Sequence, residues 1–248
     1  MTCLTGKTAL ITGASSGLGA HFATVLAKAG ADVVLGARRL EALETSAAAA
    51  RRHGGSVRTL QLDVTDIRSI EAASPAIAGV DILVNNAGVV RNAAALDITE
   101  ADWDTVIDTN LKGMFLIAQA VAKTMRTAKR PGSIINVASI LGLRQAGATL
   151  PYAVSKAGVI QMTKVLALEL ARFQIRVNAL APGYLDTELN REFWATEAAQ
   201  ALIRRVPQRR LGHLTDLDGP LLLLASEASG YMTGSVLAVD GGHLVSTL

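Results

Sequence analysis

Short β-branched, apolar runs alternate with longer helical patterns from one end of the chain to the other. This alternation is typical of βαβ units. Most of the runs are apolar on both faces, which favours parallel strands covered by helices on both sides, and right-handed crossovers then give a doubly wound α/β sheet. The seven predicted strands are 7–12 (KTALIT), 31–36 (ADVVLG), 56–62 (SVRTLQL), 81–86 (DILVNN), 132–139 (GSIINVAS), 175–182 (IRVNALAP) and 235–242 (SVLAVDGG).

Two helical stretches between the strands carry further information. Residues 21–30 (HFATVLAKAG) end at Gly30, a residue typical of helix termination. Residues 156–172 place apolar side chains at helical spacing on more than one face, so we expect this helix to pack against the sheet and a second surface, such as a partner subunit. No internal repeat or proline-rich linker divides the sequence, and the whole chain, 1–248, is therefore predicted to form one domain.

Composition and charge exclude several classes of protein. Of the 248 residues, 50% are hydrophobic and 18% are charged, which predicts an aliphatic globular core rather than a disordered chain. The formal net charge is only +3 and no dense basic stripe is present, so nucleic acid is not a predicted partner. No apolar stretch approaches the roughly 20 residues that a membrane span needs, so no membrane association is predicted.

The cysteine content bears on the cellular compartment. Cys3 is the single cysteine and cannot form an internal disulfide. No charged-then-apolar leader precedes the first strand, and we therefore expect a reducing, cytoplasmic setting. No metal site is predicted.

A glycine-rich loop follows the first predicted strand and leads directly into a helix. It comprises Gly13, Ser15, Ser16, Gly17, Leu18 and Gly19. Glycine permits backbone angles and close approaches that a Cβ atom would prevent, so the loop amides and the positive end of the helix can meet a pyrophosphate. A dinucleotide is the predicted ligand, although the spacing differs from G-x-G-x-x-G, and an ordinary glycine-containing turn is the alternative.

Four features share their order and spacing with one family. They are T-G-x-x-x-G-x-G at 12–19, N-N-A-G at 85–88, Ser139, and Y-x-x-x-K at 152–156. On these features the chain resembles the short-chain dehydrogenase/reductase family along nearly its whole length, and within it the single-domain 3-oxoacyl-thioester reductases. The resemblance implies a Rossmann-type fold, a nicotinamide cofactor and a homodimer or homotetramer.

The same resemblance implies positions for the cofactor. Asp63 and Val64 would border the adenine, and the NNAG residues would lie along the adenosine ribose. Thr187 and the backbone near Leu185 would contact the carboxamide. Taken alone, Asp63 is equally well explained as a helix cap and NNAG as a turn at the end of a strand. The cofactor residues implied beyond the glycine loop are Arg38, Arg39, Asp63, Val64, Asn86, Ala87, Gly88, Tyr152, Lys156, Pro182, Gly183, Leu185 and Thr187.

The end of the second strand bears on which dinucleotide binds. An acidic side chain there would accept hydrogen bonds from the ribose 2′-hydroxyl, whereas a basic one would pair with a 2′-phosphate. Ala37 stands where NAD-preferring members of the family usually carry aspartate, and Arg38 and Arg39 follow it. NADP(H) is therefore predicted over NAD(H). The alternative is that one arginine simply begins a solvated helix face.

Tyr152 and Lys156 are four residues apart and share a helix face, so the phenol and the ammonium can address one small volume. A lone tyrosine, with a pKa of about 10, is a poor proton donor or acceptor at neutral pH. A positive charge about 4 Å away, at an effective dielectric constant of roughly 20, favours the phenolate by about 4 kcal/mol. We therefore expect Lys156 to bring the pKa of Tyr152 close to neutrality. The resemblance implies that Lys156 also holds the nicotinamide ribose.

Ser139 follows an apolar strand, which places its hydroxyl at the same sheet edge as Tyr152. There it would donate to the substrate oxygen on which charge develops as a carbonyl accepts hydride, while Tyr152 delivers the proton. The resemblance implies that Asn110 holds a water molecule against Lys156. The alternatives are a strand cap for Ser139, a surface pair for Tyr152 and Lys156, and a locally satisfied helix residue for Asn110.

The resemblance marks residues of about 184–211 as a substrate loop. Its lining candidates, together with two residues after Ser139, are Leu141, Gln145, Tyr184, Leu189, Phe193 and Trp194. Leu185, Leu189, Phe193 and Trp194 are predicted to close an apolar pocket over the nicotinamide, with ordinary core packing as the alternative. Residues 191–210 hold five arginines and two glutamates, which indicates either solvated helix faces or a surface for an anionic acyl-thioester carrier.

These observations predict an NAD(P)(H)-dependent oxidoreductase that transfers hydride between nicotinamide and a carbonyl or secondary alcohol. A 3-oxoacyl-thioester reductase is the narrower alternative, and a non-catalytic dinucleotide sensor is the alternative from another class. A methyltransferase fits less well, because its ligand lacks the pyrophosphate and the tyrosine–lysine pair would be idle. The sequence leaves aldehydes, ketones, sugars, steroids and 3-oxoacyl thioesters open as substrates.

Overall fold

The computed structural model describes residues 3–187, 194 and 196–246. Its central feature is one parallel sheet with the strand order β3-β2-β1-β4-β5-β6-β7. All seven strands predicted from the apolar runs are present, and the doubly wound architecture is confirmed. The strands are β1 (Thr8–Thr12), β2 (Asp32–Ala37), β3 (Val57–Gln61), β4 (Ile82–Asn85), β5 (Gly132–Val137), β6 (Ile175–Pro182) and β7 (Val236–Val239).

Helices connect the strands and cover both faces of the sheet. The α-helices are α1 (Gly17–Lys28), α2 (Leu40–Arg51), α3 (Ile67–Ala72), α4 (Ser74–Ile77), α5 (Glu100–Ile107), α6 (Met114–Thr127), α7 (Leu150–Leu170), α8 (Glu197–Ile203) and α9 (Asp218–Ala225). A π-helical segment, Asp108–Gly113, joins α5 to α6. Short 3₁₀ turns cover Ile140–Gly142, Ala171–Phe173, Leu214–Leu217, Glu227–Ser229 and His243–Val245.

Alternate residues of the strands enter two separate hydrophobic clusters, as the period of a strand requires. On one face Ile11 packs with Phe22 of α1, Leu43 of α2 and Leu221 of α9, all of them fully buried. On the other face the neighbouring Leu10 packs with residues of α3, α4, α6 and α7. Burial on both faces explains why the strands read as continuous apolar runs rather than as alternating ones.

The strand order reverses between β1 and β4, and this reversal determines where a ligand can bind. In a doubly wound sheet the loops that leave neighbouring strands in opposite directions open a crevice at their carboxyl ends. The glycine-rich loop leaves β1, and Asn86 to Gly88 leave β4 at this point. Ser139 follows β5 on the same edge. The sheet therefore gathers the sequence motifs at one edge, although they are far apart in the chain.

The helix-stop prediction and the two-faced helix both correspond to observed features. Gly30 adopts a φ of +95° and donates its N–H to the carbonyl of Ala27, which terminates the turn after α1.

In α7, Val159 is buried, whereas Leu168 is 81% exposed. The second apolar face of α7 is thus uncovered in the single chain.

Within the part of the chain that the structure describes, none of the helices combines the length and the apolar character needed to cross a bilayer.

Replacement of Gly19 by alanine should destabilise the fold, because the loop after β1 has no room for a Cβ atom there. An added Cβ would lie 2.4 Å from the carbonyl oxygen of Gly13 and 2.7 Å from Nδ2 of Asn86. We expect a loss of about 1–3 kcal/mol in the free energy of unfolding, measured by urea denaturation. Gly79→Ala is the matched control, since nothing lies within 4 Å of its added Cβ. An equal effect of both substitutions would contradict the packing argument.

Candidate active site

The amino end of α1 presents unsatisfied backbone amides. Ser16 occupies the N-cap position, but within the described residues its side chain makes no capping bond, and no acidic residue stands in the first turn. Gly17 follows with a φ of +55°, and nothing lies within 4 Å of the position that a Cβ atom on it would take. Open space, free amides and the positive helix end together fit an anion such as a pyrophosphate.

Two loops of the sheet edge are bonded to each other beside this helix end. The hydroxyl oxygen of Thr12 accepts from the N–H groups of Asn86 at 2.9 Å and Ala87 at 3.0 Å. The side-chain amide of Asn86 donates back to the carbonyl of Thr12 at 3.0 Å. A Cβ on Gly13 would lie 2.8 Å from Cα of Ala87. The NNAG loop therefore fixes the shape of the glycine loop.

A cavity of about 400 Å³ opens beyond the ends of β2 and β3. It is lined by Arg38, Leu60, Gln61, Asp63, Asp66, Ser69, Ala72 and Ala73. Arg38 is exposed and is the basic residue of this lining. The cavity thus combines one guanidinium with two carboxylates at the place where an adenosine end would lie.

Three neighbouring residues of the predicted cofactor site have structural contacts of their own. Arg39 is absent from the described cavity lining and instead stands at the N-cap of α2. The carboxylate of Asp63 accepts from the N–H and the hydroxyl of Thr65 at 2.9 and 2.7 Å, so it stabilises a turn, while Asp66 caps α3. Val64 is 6% exposed and is absent from that lining, which makes its side chain a core residue.

Ser139 and Tyr152 meet at the carboxyl edge of the sheet. Ser139 is 8% exposed, follows β5 and caps the Ile140–Gly142 turn by accepting from the N–H of Leu141 at 3.1 Å. Its hydroxyl is also near enough to the phenol of Tyr152 to act on the pKa of that phenol. The alternative of a cap is therefore observed for this serine, and its catalytic role stays a prediction.

Lys156 lies beneath the same phenol, one helical turn along α7. It is 3% exposed, and its Nζ is 5.6 Å from the centroid of the Tyr152 ring. The ammonium donates to the carbonyl oxygen of Val137, at the end of β5, at 2.7 Å. A Cβ on Gly142 would lie 2.7 Å from the carbonyl carbon of Lys156, so the turn after Ser139 packs directly on this part of α7.

The predicted electrostatics of the pair are corrected by this geometry. Burial raises the pKa of Tyr152, and the influence of the Ser139 hydroxyl opposes that shift only in part. Burial also lowers the pKa of Lys156 to about 8. In the protein alone the lysine gives up its proton before the phenol does, so its charge is missing when the phenol ionises. The expectation of a near-neutral pKa for Tyr152 is wrong for this state, because desolvation outweighs the attraction.

Asn110 is fully buried in the π-helical segment, a kind of irregularity that often marks functional sites. Its Oδ1 accepts from the N–H of Val89 at 2.7 Å, and its Nδ2 donates to the carbonyl of Val89 at 2.8 Å. The same Nδ2 contacts the hydroxyl of Ser155 at 3.2 Å. The side chain thus clamps the chain that follows NNAG. The predicted role of Asn110 in holding a water against Lys156 stays a prediction.

Comparison with known proteins agrees with this arrangement. The family model for short chain dehydrogenases matches residues 7–198. This chain belongs to the short-chain dehydrogenase family. It is therefore an NAD(P)-dependent oxidoreductase that acts on alcohol or carbonyl groups, and its sheet is the Rossmann-type sheet of that family.

Three similar proteins illustrate the spread within the family. The chain is 40% identical to the 3-oxoacyl-[acyl-carrier-protein] reductase FabG of Thermotoga maritima, over 98% of this chain and 99% of that protein. It is 41% identical to the 2-dehydro-3-deoxy-D-gluconate 5-dehydrogenase of Escherichia coli, over 97% and 96%. The crystal structure of a gluconate 5-dehydrogenase from Burkholderia cenocepacia, in complex with NADP and tartrate, superposes with a TM-score of 0.94 at 37% identity, covering 99% and 98%.

The substrate side of this short-chain dehydrogenase is built from the ends of β6 and β7. Gly183 follows Pro182 and donates to the carbonyl of Val239 at 2.9 Å. Tyr184 is half-buried, with its ring centroid 5.4 Å from that of Trp194. Leu141 is also half-buried, Gln145 is exposed, and Thr187 is the last residue described before the gap.

The apolar pocket predicted over the nicotinamide is only partly described. Leu185 belongs to the main hydrophobic cluster and is 7% exposed, and the indole N–H of Trp194 donates to its carbonyl at 3.2 Å. Packing beneath the loop explains both residues, in agreement with the alternative of ordinary core packing. Leu189 and Phe193 lie outside the described residues.

Sequence reasoning missed several polar residues of the site. Thr12 is fully buried and joins the two loops, and Ser155 is fully buried between the amide of Asn110 and the carbonyl of Tyr152, to which it donates at 2.7 Å. Thr12 is the first residue of T-G-x-x-x-G-x-G, and Ser155 lies inside Y-x-x-x-K. A hydroxyl group at these two positions was the signal in the sequence that could have identified them, because buried hydroxyls need hydrogen-bond partners. Arg144 and His243 were missed because only the fold brings them together. The described residues contain no cluster of potential metal ligands.

Lys156→Met tests the burial of the ammonium. The folded protein releases this proton at about pH 8, whereas the ordinary value is 10.5. Below pH 8 the folded state therefore bears the full burial cost, about 3 kcal/mol, and the cost disappears as the pH rises toward 10.5. We expect the methionine variant to exceed the wild type in unfolding free energy at pH 7 and to lose this advantage by about pH 10.5, as measured by urea denaturation.

Lys164→Met, on the exposed side of the same helix, is the control and should change the unfolding free energy by less than about 0.5 kcal/mol at either pH. A Lys156→Met advantage that stays constant with pH would contradict the shifted pKa.

Proposed function

We propose that this short-chain dehydrogenase uses Tyr152 as the general acid and base for a carbonyl or secondary alcohol, with Ser139 as the donor that orients the substrate oxygen. The observation that carries the proposal is the buried ammonium of Lys156, which lies 5.6 Å from the centroid of the Tyr152 ring and is bonded to the end of β5, the strand that Ser139 follows. The proposed catalytic residues are Asn110, Ser139, Tyr152 and Lys156.

The residues present fit a nicotinamide dinucleotide. The uncapped start of α1 and the open side of Gly17 would hold its pyrophosphate, and the cavity beside Arg38 would hold the adenosine end. When bound, the dinucleotide supplies hydride to a carbonyl carbon or accepts it from an alcohol. The protein's own residues provide the orientation and the proton.

The proton chemistry follows from the hydroxyl pair. Ser139 donates a hydrogen bond to the substrate oxygen as negative charge develops there, which lowers the barrier. Tyr152, with its raised pKa, is a protonated phenol at neutral pH and can deliver its proton to that oxygen. This protonation state supports carbonyl reduction near neutral pH, since alcohol oxidation needs the phenolate.

Lys156 has two proposed tasks. Its ammonium, fixed by the carbonyl of Val137, is placed to bind the hydroxyls of the nicotinamide ribose. It also stabilises negative charge on Tyr152 whenever it carries its own proton, below about pH 8. Asn110 positions the chain after NNAG, and a water bridge between Asn110 and Lys156 remains our proposal for returning the proton from solvent.

NADP(H) is the proposed dinucleotide. Arg38 lines the adenosine-end cavity and presents an exposed guanidinium to a 2′-phosphate. Asp63 and Asp66 share that lining and weaken its positive field, so Arg38 must overcome two carboxylates. The Burkholderia relative solved with NADP supports the same choice.

The remaining proposals concern assembly and setting. The sheet spans the described chain, which supports one domain over 1–248 with a substrate loop at about 184–211. The exposed apolar side chains of α7, Val165 and Leu168, support a homodimer or homotetramer. The exposed thiol of Cys3 is consistent with the proposed cytoplasmic location.

Tyr152→Phe should retain dinucleotide binding while losing turnover, because it removes only the proton-carrying hydroxyl. We expect kcat for carbonyl reduction to fall at least about 100-fold, measured by nicotinamide absorbance over a carbonyl panel. NADPH-dependent stabilisation against heat should persist within about 2-fold in apparent affinity.

Tyr231→Phe is the matched control, since this tyrosine is fully exposed, and it should leave both quantities unchanged. Parallel loss of NADPH binding and turnover in Tyr152→Phe would show that the phenol is structural, and the proposal would then fall.

Arg38→Asp should shift preference toward NAD(H). The substitution replaces the cation of the adenosine-end cavity by a third carboxylate, which repels a 2′-phosphate and accepts bonds from a 2′-hydroxyl. We expect the ratio of kcat/KM with NADPH to that with NADH to fall at least about 10-fold. Arg52→Asp, at the far end of α2, is the control and should leave the ratio unchanged. An unchanged ratio in Arg38→Asp would refute the assignment of Arg38.

A further inference from the structure

A partly buried guanidinium lies beside the candidate active site. Arg144 follows the Ile140–Gly142 turn, and its backbone N–H donates to the carbonyl of Ile140 at 2.9 Å. Its Nη1 donates to the carbonyl oxygen of His243. The residues of β5, β6 and β7 are neighbours in the sheet, so Arg144 after β5 reaches across to the segment after β7.

In the described parts of the chain Arg144 forms no ion pair with an acid, whereas Arg210 pairs with Asp216 at 2.6 Å. Asp240 is the nearby acid, but its two oxygens accept from the N–H groups of Gly242 at 2.9 Å and Leu244 at 2.7 Å. Asp240 therefore shapes its own turn.

Two aromatic rings stand close to this arginine. The ring of His243 is 5.3 Å from that of Tyr184, centroid to centroid. Burial and the charges of Arg144 and Arg205 lower the pKa of His243 against the opposing charge of Asp240, which favours the neutral imidazole at pH 7. The charge of Arg144 also acts on Tyr184, which follows β6, and opposes the rise that burial causes in the pKa of that phenol. A permanent cation beside neutral rings is an environment that favours an anionic ligand group.

The position of Arg144 relative to Ser139 limits the size of that ligand. Arg144 is five positions after Ser139, and the bond from its N–H to the carbonyl of Ile140 at 2.9 Å keeps the backbones of Ser139 and Arg144 within about 10 Å of each other. A group bound at Arg144 and an oxygen bound at Ser139 can thus belong to a molecule of a few carbon atoms. The bond to His243 uses Nη1 alone, and the edge formed by Nε and Nη2 matches the two oxygens of a carboxylate.

We propose that Arg144 is the specificity-determining residue of this enzyme and binds the carboxylate of a small hydroxy or oxo acid whose reacting carbon lies at Ser139 and Tyr152. The inference rests on the proposed function, because it requires a substrate oxygen at those two hydroxyls. It narrows the substrate from any carbonyl or alcohol to one that carries an acid group within a few carbon atoms.

The test compares acids with neutral analogues of the same length. A 5-oxohexonate and the corresponding ketohexose, in which a hydroxymethyl group replaces the carboxylate, are reduced with NADPH by wild type, Arg144→Met and Arg144→Lys. Wild type should prefer the acid by at least about 10-fold in kcat/KM. Arg144→Met should lose on the order of 10- to 100-fold on the acid, mainly through KM, and less than about 3-fold on the ketose. The kcat/KM of Arg144→Lys on the acid should fall between those of wild type and Arg144→Met, since lysine keeps the positive charge but cannot donate two parallel hydrogen bonds to a carboxylate.

Arg172→Met is the matched control. Its guanidinium stacks on Phe173 at 4.8 Å, before β6 and hence at the opposite edge of the sheet. Removing it should leave both substrates within about 2-fold. An equal loss on acid and ketose in Arg144→Met, a preference of wild type for the ketose, or a preference for a 3-oxoacyl thioester over the acid would overturn the inference while leaving the proposed function intact.

Failure of the proposed function has a different signature. If wild type reduces no member of the panel, binding of tartrate in the presence of NADPH is measured by thermal shift. Tartrate binding that is lost in Arg144→Met and kept in Arg172→Met would support the anion site without the proposed chemistry. If wild type binds no tartrate, the anion site is overturned as well. Melting temperatures of the three variants without ligand show whether each one folds, and Arg144→Lys carries the comparison if Arg144→Met does not.

Discussion

The hydrogen bond from the buried ammonium of Lys156 to the carbonyl of Val137 is the contact on which the site depends. It ties α7 to the end of β5, and β5 also delivers Ser139 two residues later. Tyr152 stands one turn before Lys156, so a single strand and a single helix supply the lysine, its anchor and both hydroxyls. The close packing of Gly142 on the backbone of Lys156 leaves this strand and helix no room to slide. The geometry of the hydroxyl pair is thus a property of the sheet.

Much of the fold and part of the site could be predicted from the sequence, because the signals are local. Parallel strands that are buried on both faces must be apolar throughout, and this is why each run from 7–12 to 235–242 identified a strand. A glycine loop between a strand and a helix, and two functional residues four apart on one helix, are equally local patterns. They predicted the proposed anion site at Gly17 and the pair of Tyr152 and Lys156, both of which lie on α7.

The features that sequence could not provide depend on enclosure and on contacts between distant segments. The lowered pKa of Lys156 follows from how completely α7, β5 and the turn after Ser139 surround it. The side-chain amide of Asn110 bonds both backbone groups of Val89, a residue that only the fold brings to it. Arg144 shows the same limit, since its contact with His243 joins positions 99 residues apart. Charge and hydrogen-bond partners of this kind are set by tertiary structure.

The bridge between Leu185 and Gly212 closes the segment of the proposed substrate loop at its base. Asp186 donates to the carbonyl of Gly212 at 2.8 Å, and Gly212 donates to that of Tyr184 at 2.9 Å, so the two ends of the segment are held together. Gln208 also donates to the carbonyl of Gly241 at 3.2 Å, so the second end stays tied to the turn after β7. Insertions and deletions that fall before Gln208 would therefore leave β6 and β7 undisturbed, which makes the first part of this segment the place where related chains can diverge in length.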